Sequence, residues 1–354
     1  MLLLLIIPLL AWGPSLAWGQ DWAEVAKYLE GEKGRRKIPG YSAGVYWRGE
    51  TAWLKAAGTA DRKTGRAVGV RTPFRIASIS KPLTAAGVLR LAERRQLNLS
   101  EEIYEYCPAF PAKGLPITLA QLLGHLGGIR HYRNRADANN PVAYAGVSEA
   151  LRKFAADPLE HEPGTKYLYS TYGFNLLGCA IEGASGVTYE EWMRDQIFAT
   201  VGMCDTGLDR KRARAEGYQL NETGEVVACD YSDNSAKFPG GGLVSTASDL
   251  LRFVDGIYRE QVLRQESIEA MWTSGKLRNG KLTGYGLGWS LGRTPEGERE
   301  IYHTGSQQGT SAILYLRPEK GFAFVWLTNL EGIEDRLPVA REVYRLVVGG
   351  AGKK

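Results

Sequence analysis

The chain has 354 residues, of which 44% are hydrophobic and 23% are charged, and its formal net charge is +5 at pH 7. These values are ordinary for a globular protein and allow a large core, in one big domain or in two closely joined ones. Positive charge is spread along the sequence, and we interpret the one local basic cluster, residues 210–214, as a surface loop. We therefore expect no nucleic-acid partner.

The N-terminal segment differs from the rest of the chain. Residues 1–12 are almost wholly apolar and are followed by Gly13, Pro14 and small residues. This pattern predicts a signal peptide over residues 1–19, and hence a secreted or periplasmic protein. No Lys or Arg precedes the apolar run, so an uncleaved anchor or a wrongly assigned start is the alternative. Contact with a membrane is expected only if the segment stays uncleaved.

Helical and β-type patterns follow one another along the chain. Apolar spacing from Trp22 to Leu29 predicts a helix, and two β-rich runs joined across Arg48-Gly49-Glu50 predict a hairpin. The pattern is mainly helical from Pro82 to about Thr200. It then returns to β-strands and ends in a helix with an apolar side at Leu337, Ala340, Tyr344 and Val347. The later strands are predicted at residues 285–291, 301–304, 311–317 and 322–328.

Strands near both ends of the chain imply that the two ends join in one antiparallel sheet. We therefore predict an α+β fold, in which N- and C-terminal helices flank the sheet and a helical lobe is inserted between its strands. A single domain would span residues 20–350, with an α/β lobe of residues 20–80 and 240–350 and a helical lobe of residues 81–239. A pocket is expected where the two lobes meet.

The four cysteines are an even set in a chain that is predicted to enter an oxidising compartment. Cys204 and Cys229 flank a polar segment and could form a disulfide. Cys179 lies in an apolar run and is interpreted as a small buried hydrophobic residue. The pairing, including that of Cys107, stays open. No Cys/His spacing indicates zinc, and we assign no metal and no other cofactor.

Ser78 and Lys81 form a Ser-x-x-Lys pair where a helix is predicted to begin. Positions i and i+3 of a helix share one face, so the Lys81 amine can reach the Ser78 hydroxyl. A serine becomes nucleophilic when a nearby base takes its proton, and a lysine can be that base if burial or cationic neighbours lower its pKa. Backbone N–H groups at a helix N-terminus also favour developing negative charge. The pair therefore indicates acyl transfer, provided that other motifs accompany it.

Further motifs follow in a fixed order. They are Tyr169-Ser170-Thr171, the glycines at 240–242, and Tyr302-His303-Thr304-Gly305-Ser306 on a predicted strand. Together with the Ser-x-x-Lys pair they resemble the serine β-lactamase and penicillin-binding-protein family, in its class C, DD-peptidase and family VIII esterase branch. Residues 125–132, 169–171 and 233–235 are most similar to the animal mitochondrial serine β-lactamase-like members and their bacterial relatives. The similarity covers residues 25–347.

The resemblance implies a β-lactamase/transpeptidase-like fold and a role for each matching residue. Ser78 would be the nucleophile and Lys81 its helix partner, and Tyr169 would share a proton with both and deliver one to the leaving group. The backbone N–H groups of Ser78 and Ser306 would form the oxyanion hole. The other matching residues would bind substrate: Thr171, His303, Thr304 and Gly305.

Two of these positions depart from the family pattern. Thr171 stands where the β-lactamases have Asn, which removes a partner for a substrate amide, and His303 replaces Lys, which leaves little charge at neutral pH to hold a carboxylate. The leading hypothesis is a serine hydrolase that forms an acyl-enzyme on Ser78 and hydrolyses a peptide, a D-amino-acid peptide or a small ester. The alternatives are a true β-lactamase and a catalytically idle scaffold or filament protein of the same fold. An oligomer is possible.

Overall fold

The structure is a computed structural model that describes residues 22–139, 141–210 and 214–350. The predicted signal peptide and residues 211–213 of the basic cluster lie outside the described residues. No helix within the described ranges is long and apolar enough to cross a membrane.

The described residues form twelve α-helices and twelve β-strands. The α-helices are α1 Trp22–Arg35, α2 Ser80–Glu93, α3 Ile103–Tyr106, α4 Leu119–Leu123, α5 Arg135–Ala138, α6 Val147–Ala150, α7 Thr171–Ser185, α8 Tyr189–Met193, α9 Phe238–Gly241, α10 Ala247–Tyr258, α11 Gln265–Met271 and α12 Arg336–Gly350. The strands are β1 Gly40–Trp47, β2 Glu50–Asp61, β3 Arg66–Ala67, β4 Phe74–Arg75, β5 Gly207–Leu208, β6 Tyr218–Leu220, β7 Val226–Ala228, β8 Leu243–Ser245, β9 Ser290–Arg293, β10 Arg299–Gln307, β11 Thr310–Arg317 and β12 Phe322–Thr328.

The main sheet is antiparallel and joins both ends of the chain. Its seven strands run in the order β3-β2-β1-β12-β11-β10-β9. The β1–β12 pair holds this order together, with a register that runs from Tyr41 opposite Thr328 to Trp47 opposite Phe322. The predicted α+β fold is therefore confirmed. So is the hairpin, which turns at Arg48 and Gly49, both with positive φ.

Both faces of the sheet are buried, which explains why its central strands are almost continuously apolar. Successive side chains of a strand point to opposite faces. In β12, Ala323 and Val325 therefore pack on the side of α2, α7 and α10, whereas Phe324 and Trp326 pack on the side of α1 and α12. The result is a sheet between two helical layers, with the larger layer on the side of α2.

The predicted strand at residues 285–291 is wrong in its bounds, because β9 begins only at Ser290. Gly284 and Gly288 have positive φ, and Gly288 lies so close to α2 that an added Cβ would be 2.7 Å from the Ala85 methyl group. The backbone of this segment therefore turns and packs against α2, so it is not an extended strand.

The possible disulfide between Cys204 and Cys229 is not formed, and the interpretation of Cys179 as an unpaired residue is wrong. Cys107 and Cys179 form a disulfide that joins the end of α3 to α7. Cys204 is a free, exposed thiol, and Cys229 is a free, partly buried one. The apolar run around Cys179 does mark a buried position, but the residue that it meets there is the equally buried Cys107.

Candidate active site

Ser78 lies in a single turn of 3-10 helix, Ala77–Ile79, that leads directly into α2. Ala77 has a φ of 47°, a left-handed conformation that is uncommon for a residue other than glycine. The buried Ser80 hydroxyl holds this turn, since it donates to the Ala77 carbonyl at 2.7 Å and accepts from the Leu243 N–H at 3.2 Å. Backbone strain of this kind persists only where surrounding contacts hold it, and it is common at active sites.

Lys81 follows one helical turn after Ser78 and is completely buried. Its Nζ lies 3.1 Å from the Ser78 Oγ, 2.5 Å from the Gly240 carbonyl oxygen and 3.2 Å from the Thr171 Oγ1. Burial, and after it the positive charge of Lys237, holds the pKa of Lys81 well below its ordinary value. A neutral amine has two N–H bonds and one lone pair. Donation to Gly240 and Thr171 therefore leaves the lone pair for the Ser78 hydroxyl proton.

The glycines at 240–242 allow the Gly240 carbonyl to reach Lys81. A Cβ on Gly240 would lie 2.6 Å from the Thr171 Cγ2 and 2.7 Å from its carbonyl oxygen. Any side chain there would push α9 away from the start of α7. The glycine therefore serves close packing around the amine.

Tyr169 is placed by the N-terminus of α7. Ser170 caps this helix through its side chain. Two imidazoles hold the same backbone, because the Nδ1 of His125 accepts the Ser170 N–H and the Nδ1 of His131 accepts the Thr171 N–H, both at 3.2 Å. The His125 ring also packs against the Tyr169 ring, with centroids 4.3 Å apart. The phenol is thus held by several contacts beside the cavity that it lines.

The electrostatic surroundings of Tyr169 keep its phenol protonated. Burial raises its pKa above the ordinary value, and the adjacent Ser78 hydroxyl offsets part of this rise. The Lys81 Nζ lies 4.7 Å from the centre of the phenol ring. A protonated phenol at this position can give a proton to a leaving group, while Lys81 can take one from Ser78.

Strand β10 forms the wall opposite α7. Strand β9 pairs with it only as far as Tyr302, so the edge of β10 from His303 onward is left to the Ser78 turn. The approach is close, because a Cβ on Gly305 would lie 2.3 Å from the Ile76 carbonyl oxygen. Only a glycine at 305 brings the strand this near to the nucleophile turn.

Arg336, at the start of α12, orients the peptide between Gly305 and Ser306. Its Nη1 donates to the Gly305 carbonyl at 2.8 Å and to the Ser306 Oγ at 2.7 Å. The C=O and N–H of a trans peptide point in opposite directions. The Ser306 N–H therefore points away from Arg336, and Ser306 itself lines the cavity.

His303 is a buried, neutral imidazole. Its Nδ1 lies 2.8 Å from the Thr304 carbonyl oxygen and its Nε2 lies 3.0 Å from the Tyr285 hydroxyl. A carbonyl can only accept, so Nδ1 carries the proton and Nε2 accepts from Tyr285. Burial, followed by the charge of Lys81, lowers the pKa of His303 to about 3. This strand position therefore carries no charge at neutral pH.

The walls enclose a cavity of about 370 Å³ at the junction of sheet and helices. Most of the residues predicted from the sequence line it: Ser78, Tyr169, Thr171, His303, Thr304 and Ser306. Lys81 lies behind Ser78, and Gly305 packs against Ile76. Three further lining residues, His131, Tyr132 and Gly241, belong to the stretches 125–132 and 240–242 on which the resemblance depends, but no site role was predicted for them. Sequence reasoning missed the remaining lining residues, which carry no motif: Ala138, Asn139, Lys237, Ser290 and Gln307. The nearest signal was the position of Lys237, just ahead of the glycines.

In the part of the chain that the structure describes, no group of three or more His, Cys, Asp or Glu residues could hold a metal ion.

A serine beside a buried lysine, at the junction of an antiparallel sheet and a helical lobe, defines a serine hydrolase. The chain belongs to the Beta-lactamase family, whose model matches residues 25–348. The resemblance found in the sequence is thereby confirmed.

Individual relatives agree with this assignment. The chain is 28% identical to penicillin-binding protein 4* of Bacillus subtilis, over 80% of this chain and 66% of that protein. It is also 28% identical to the mitochondrial serine β-lactamase-like protein of Homo sapiens, over 85% of this chain and 71% of that protein. An octameric penicillin-binding protein homologue from Pyrococcus abyssi has a similar structure, with a TM-score of 0.80 and 26% identity over 93% of this chain and 78% of that chain.

Proposed function

We propose that this protein hydrolyses a peptide, a D-amino-acid peptide or a small ester through an acyl-enzyme on Ser78. The observation that carries the proposal is the 3.1 Å distance between the Ser78 Oγ and the Nζ of Lys81, a buried lysine whose pKa is held well below its ordinary value. A nucleophile touching a base, with donors for the developing oxyanion nearby, is the minimum that acyl transfer needs.

Acylation begins when Lys81 takes the Ser78 proton as the Oγ attacks the substrate carbonyl carbon. The backbone N–H groups of Ser78 and Ser306 stabilise the resulting oxyanion, and one such donor is typically worth about 3 kcal/mol. The bond to the leaving amine or alkoxide then breaks, and Tyr169 supplies the leaving group with a proton that Lys81 replaces. In the second half water attacks the acyl-enzyme and gives a proton to the same pair. The pair returns a proton to the Ser78 Oγ as its bond to the acyl carbon breaks, which releases the acid and regenerates Ser78.

Two features support an ester or peptide over a β-lactam. His303 is neutral where the family pattern has a cationic lysine. The Thr171 hydroxyl is engaged with Lys81 and cannot replace the carboxamide of the family's asparagine. The complete set of Ser78, Lys81 and Tyr169 also argues against an idle scaffold.

We also propose that the protein acts in an oxidising compartment outside the cytosol. The apolar N-terminal segment and the Cys107–Cys179 disulfide support this, because structural disulfides persist mainly in such compartments.

The test is covalent labelling with a fluorophosphonate, followed by peptide mapping. We expect one adduct, on Ser78, and we expect it to be lost in Ser78→Ala. Ser148→Ala, which removes an exposed hydroxyl on α6, is the control and should keep the adduct. An adduct elsewhere, or none, would contradict the proposal. A panel of a 4-nitrophenyl ester, a D-Ala-D-Ala peptide and a chromogenic cephalosporin then ranks the substrates, and fastest turnover of the cephalosporin would establish the β-lactamase alternative.

A further inference from the structure

Lys237 is a second buried lysine, and beyond its effect on the pKa of Lys81 the proposed reaction gives it no contact with the substrate. It ends the 3-10 turn Ser235–Lys237 before α9 and lines the cavity that contains Ser78. Its Nζ donates to the Ala138 carbonyl at 2.7 Å and lies 5.5 Å from the Tyr132 ring centre. An ammonium group has three N–H donors, and among the described residues Lys237 makes this one hydrogen bond, which leaves the ammonium mostly unsatisfied.

The charge of Lys237 is not neutralised by a carboxylate. Among the described residues no Asp or Glu oxygen forms an ion pair with it. Asp209 is bound to Arg75 at 2.6 Å, and Asp137 is bound to Arg130 at 2.8 Å. Burial, and after it the charge of Arg75, lowers the pKa of Lys237 to about 7. A buried cation in this position gains from an added anion.

Gln307 supplies a second donor next to Lys237. Its Nε2 is buried and has no hydrogen-bond partner among the described residues. A Cβ added to Gly241 would lie 3.9 Å from each of three atoms: the Gln307 Oε1, the Lys237 Cδ and the Ala77 carbonyl carbon. Both side chains therefore flank Gly241 beside the nucleophile turn. None of the described residues that line the cavity is acidic.

The location of Lys237 and Gln307 indicates which part of the substrate they can contact, the acyl portion or the leaving group. Tyr169, the proton donor to the leaving group, lies at the His303 end of β10, with ring centroids 6.3 Å apart. Gln307 lies at the other end of this exposed edge, about 13 Å further along the strand at a rise of about 3.3 Å per residue. The leaving group therefore occupies the His303 end, and the acyl portion extends toward Gln307 and Lys237.

We propose that Lys237 and Gln307 bind a carboxylate on the acyl portion of the substrate, so that the protein prefers acyl groups with an acidic end over neutral ones. This inference rests on the proposed function of Ser78, because it assigns the acyl side from the acylation reaction.

The test compares two 4-nitrophenyl monoesters that differ only at the far end of the acyl chain, one of adipic acid and one of adipamic acid. Charge-assisted hydrogen bonds typically favour the charged ligand by roughly tenfold or more, so we expect this ratio of kcat/KM in the unmodified protein. Lys237→Met should bring the ratio close to one, and Lys237→Arg should preserve it. Lys27→Met, which removes an exposed lysine of α1, is the matched control and should keep the ratio.

A second measurement uses the unmodified protein and does not depend on the folding of a variant. Adipate should slow fluorophosphonate labelling of Ser78 at concentrations where adipamide does not. Equal kcat/KM for the two esters would overturn the inference, and so would a ratio that is unchanged in folded Lys237→Met. If Ser78 still labels normally, the proposed function stands in either case. Failure of Ser78 to label would overturn the proposed function and this inference with it.

Discussion

Lys81 can act as a base because of where its side chain lies. An exposed lysine keeps its proton at neutral pH, whereas this one is enclosed by Gly240, Thr171 and Ser78 and has a second cation, Lys237, nearby. The pKa of Lys81 falls for both reasons, and the two N–H bonds of the neutral amine are occupied. Its one free function is to accept a proton from Ser78.

Replacing Lys81 by methionine keeps much of the volume of the side chain and removes the base. We expect kcat/KM to fall by about 10²- to 10⁴-fold, the usual contribution of general base catalysis. The measurement is hydrolysis of a neutral 4-nitrophenyl ester, with circular dichroism to show that the fold is kept. Activity near that of the unmodified protein would transfer the base role to another group.

Tyr169→Phe removes only the hydroxyl. The aromatic contact with His125 is retained, so the start of α7 should keep its place. We expect acylation to slow by orders of magnitude for amides, which need a protonated leaving group, and to slow less for 4-nitrophenyl esters, whose leaving group departs without a proton. Single-turnover kinetics on both substrate types measure this difference, and an equal loss on both would argue for a different role of the phenol.

At the scale of elements, the site depends on how near β10 comes to the Ser78 turn. The strand can approach because Gly305 has no side chain and because β9 leaves this edge uncovered. Gly305→Ala would place a Cβ 2.3 Å from the Ile76 carbonyl oxygen, so the strand or the turn has to move. We expect a large fall in kcat, since a shift of this size misplaces the Ser306 N–H. Gly31→Ala, at an exposed helix position with no atom within 4 Å of the new methyl group, is the control.

The disulfide between α3 and α7 stabilises the helical lobe. It closes a segment with a sequence separation of 72 residues. In the chain-entropy description, closing a loop of this length raises the free energy of unfolding by about 4 kcal/mol. The double variant Cys107→Ser/Cys179→Ser should therefore unfold at clearly lower urea concentration, whereas Cys204→Ser should not. Equal midpoints for all three proteins would show that the bridge contributes no stability.

For the whole molecule, buried neutral histidines link stability to pH. Burial lowers the pKa of His303 to about 3 and holds the pKa of His125 well below its ordinary value. In the unfolded chain both groups return to a pKa of about 6.5 and bind protons that the folded protein excludes. Stability is therefore greatest above pH 6.5 and falls as the pH drops toward the folded values.

We expect the free energy of unfolding to fall by roughly 1 kcal/mol for each of these two histidines between pH 6 and pH 5. Urea titrations at pH 7, 6 and 5 measure this fall. His303→Gln should reduce this fall by roughly 1 kcal/mol. A stability that does not change over this range would mean that the imidazoles are already protonated in the folded protein.

The sequence predicts what depends on local geometry. Ser78 and Lys81 are one helical turn apart, so their contact follows from the spacing alone. The apolar strands at both chain ends likewise predict a shared sheet. Tyr169 and β10 required the family resemblance, because nothing local brings them to Ser78. Lys237 and Gln307 gain meaning only from the tertiary structure, and Cys107 and Cys179 could not be paired because their separation in the sequence carries no information about their contact.

The covalent link between α3 and α7 also affects how the protein can be produced. In the cytosol of an ordinary laboratory host, thioredoxin and glutathione keep thiols reduced. Export to the periplasm, or an oxidising strain, should therefore raise the fraction of purified molecules that react with one equivalent of a fluorophosphonate. Active-site titration of each batch, rather than total protein yield, is the quantity that reports correct maturation.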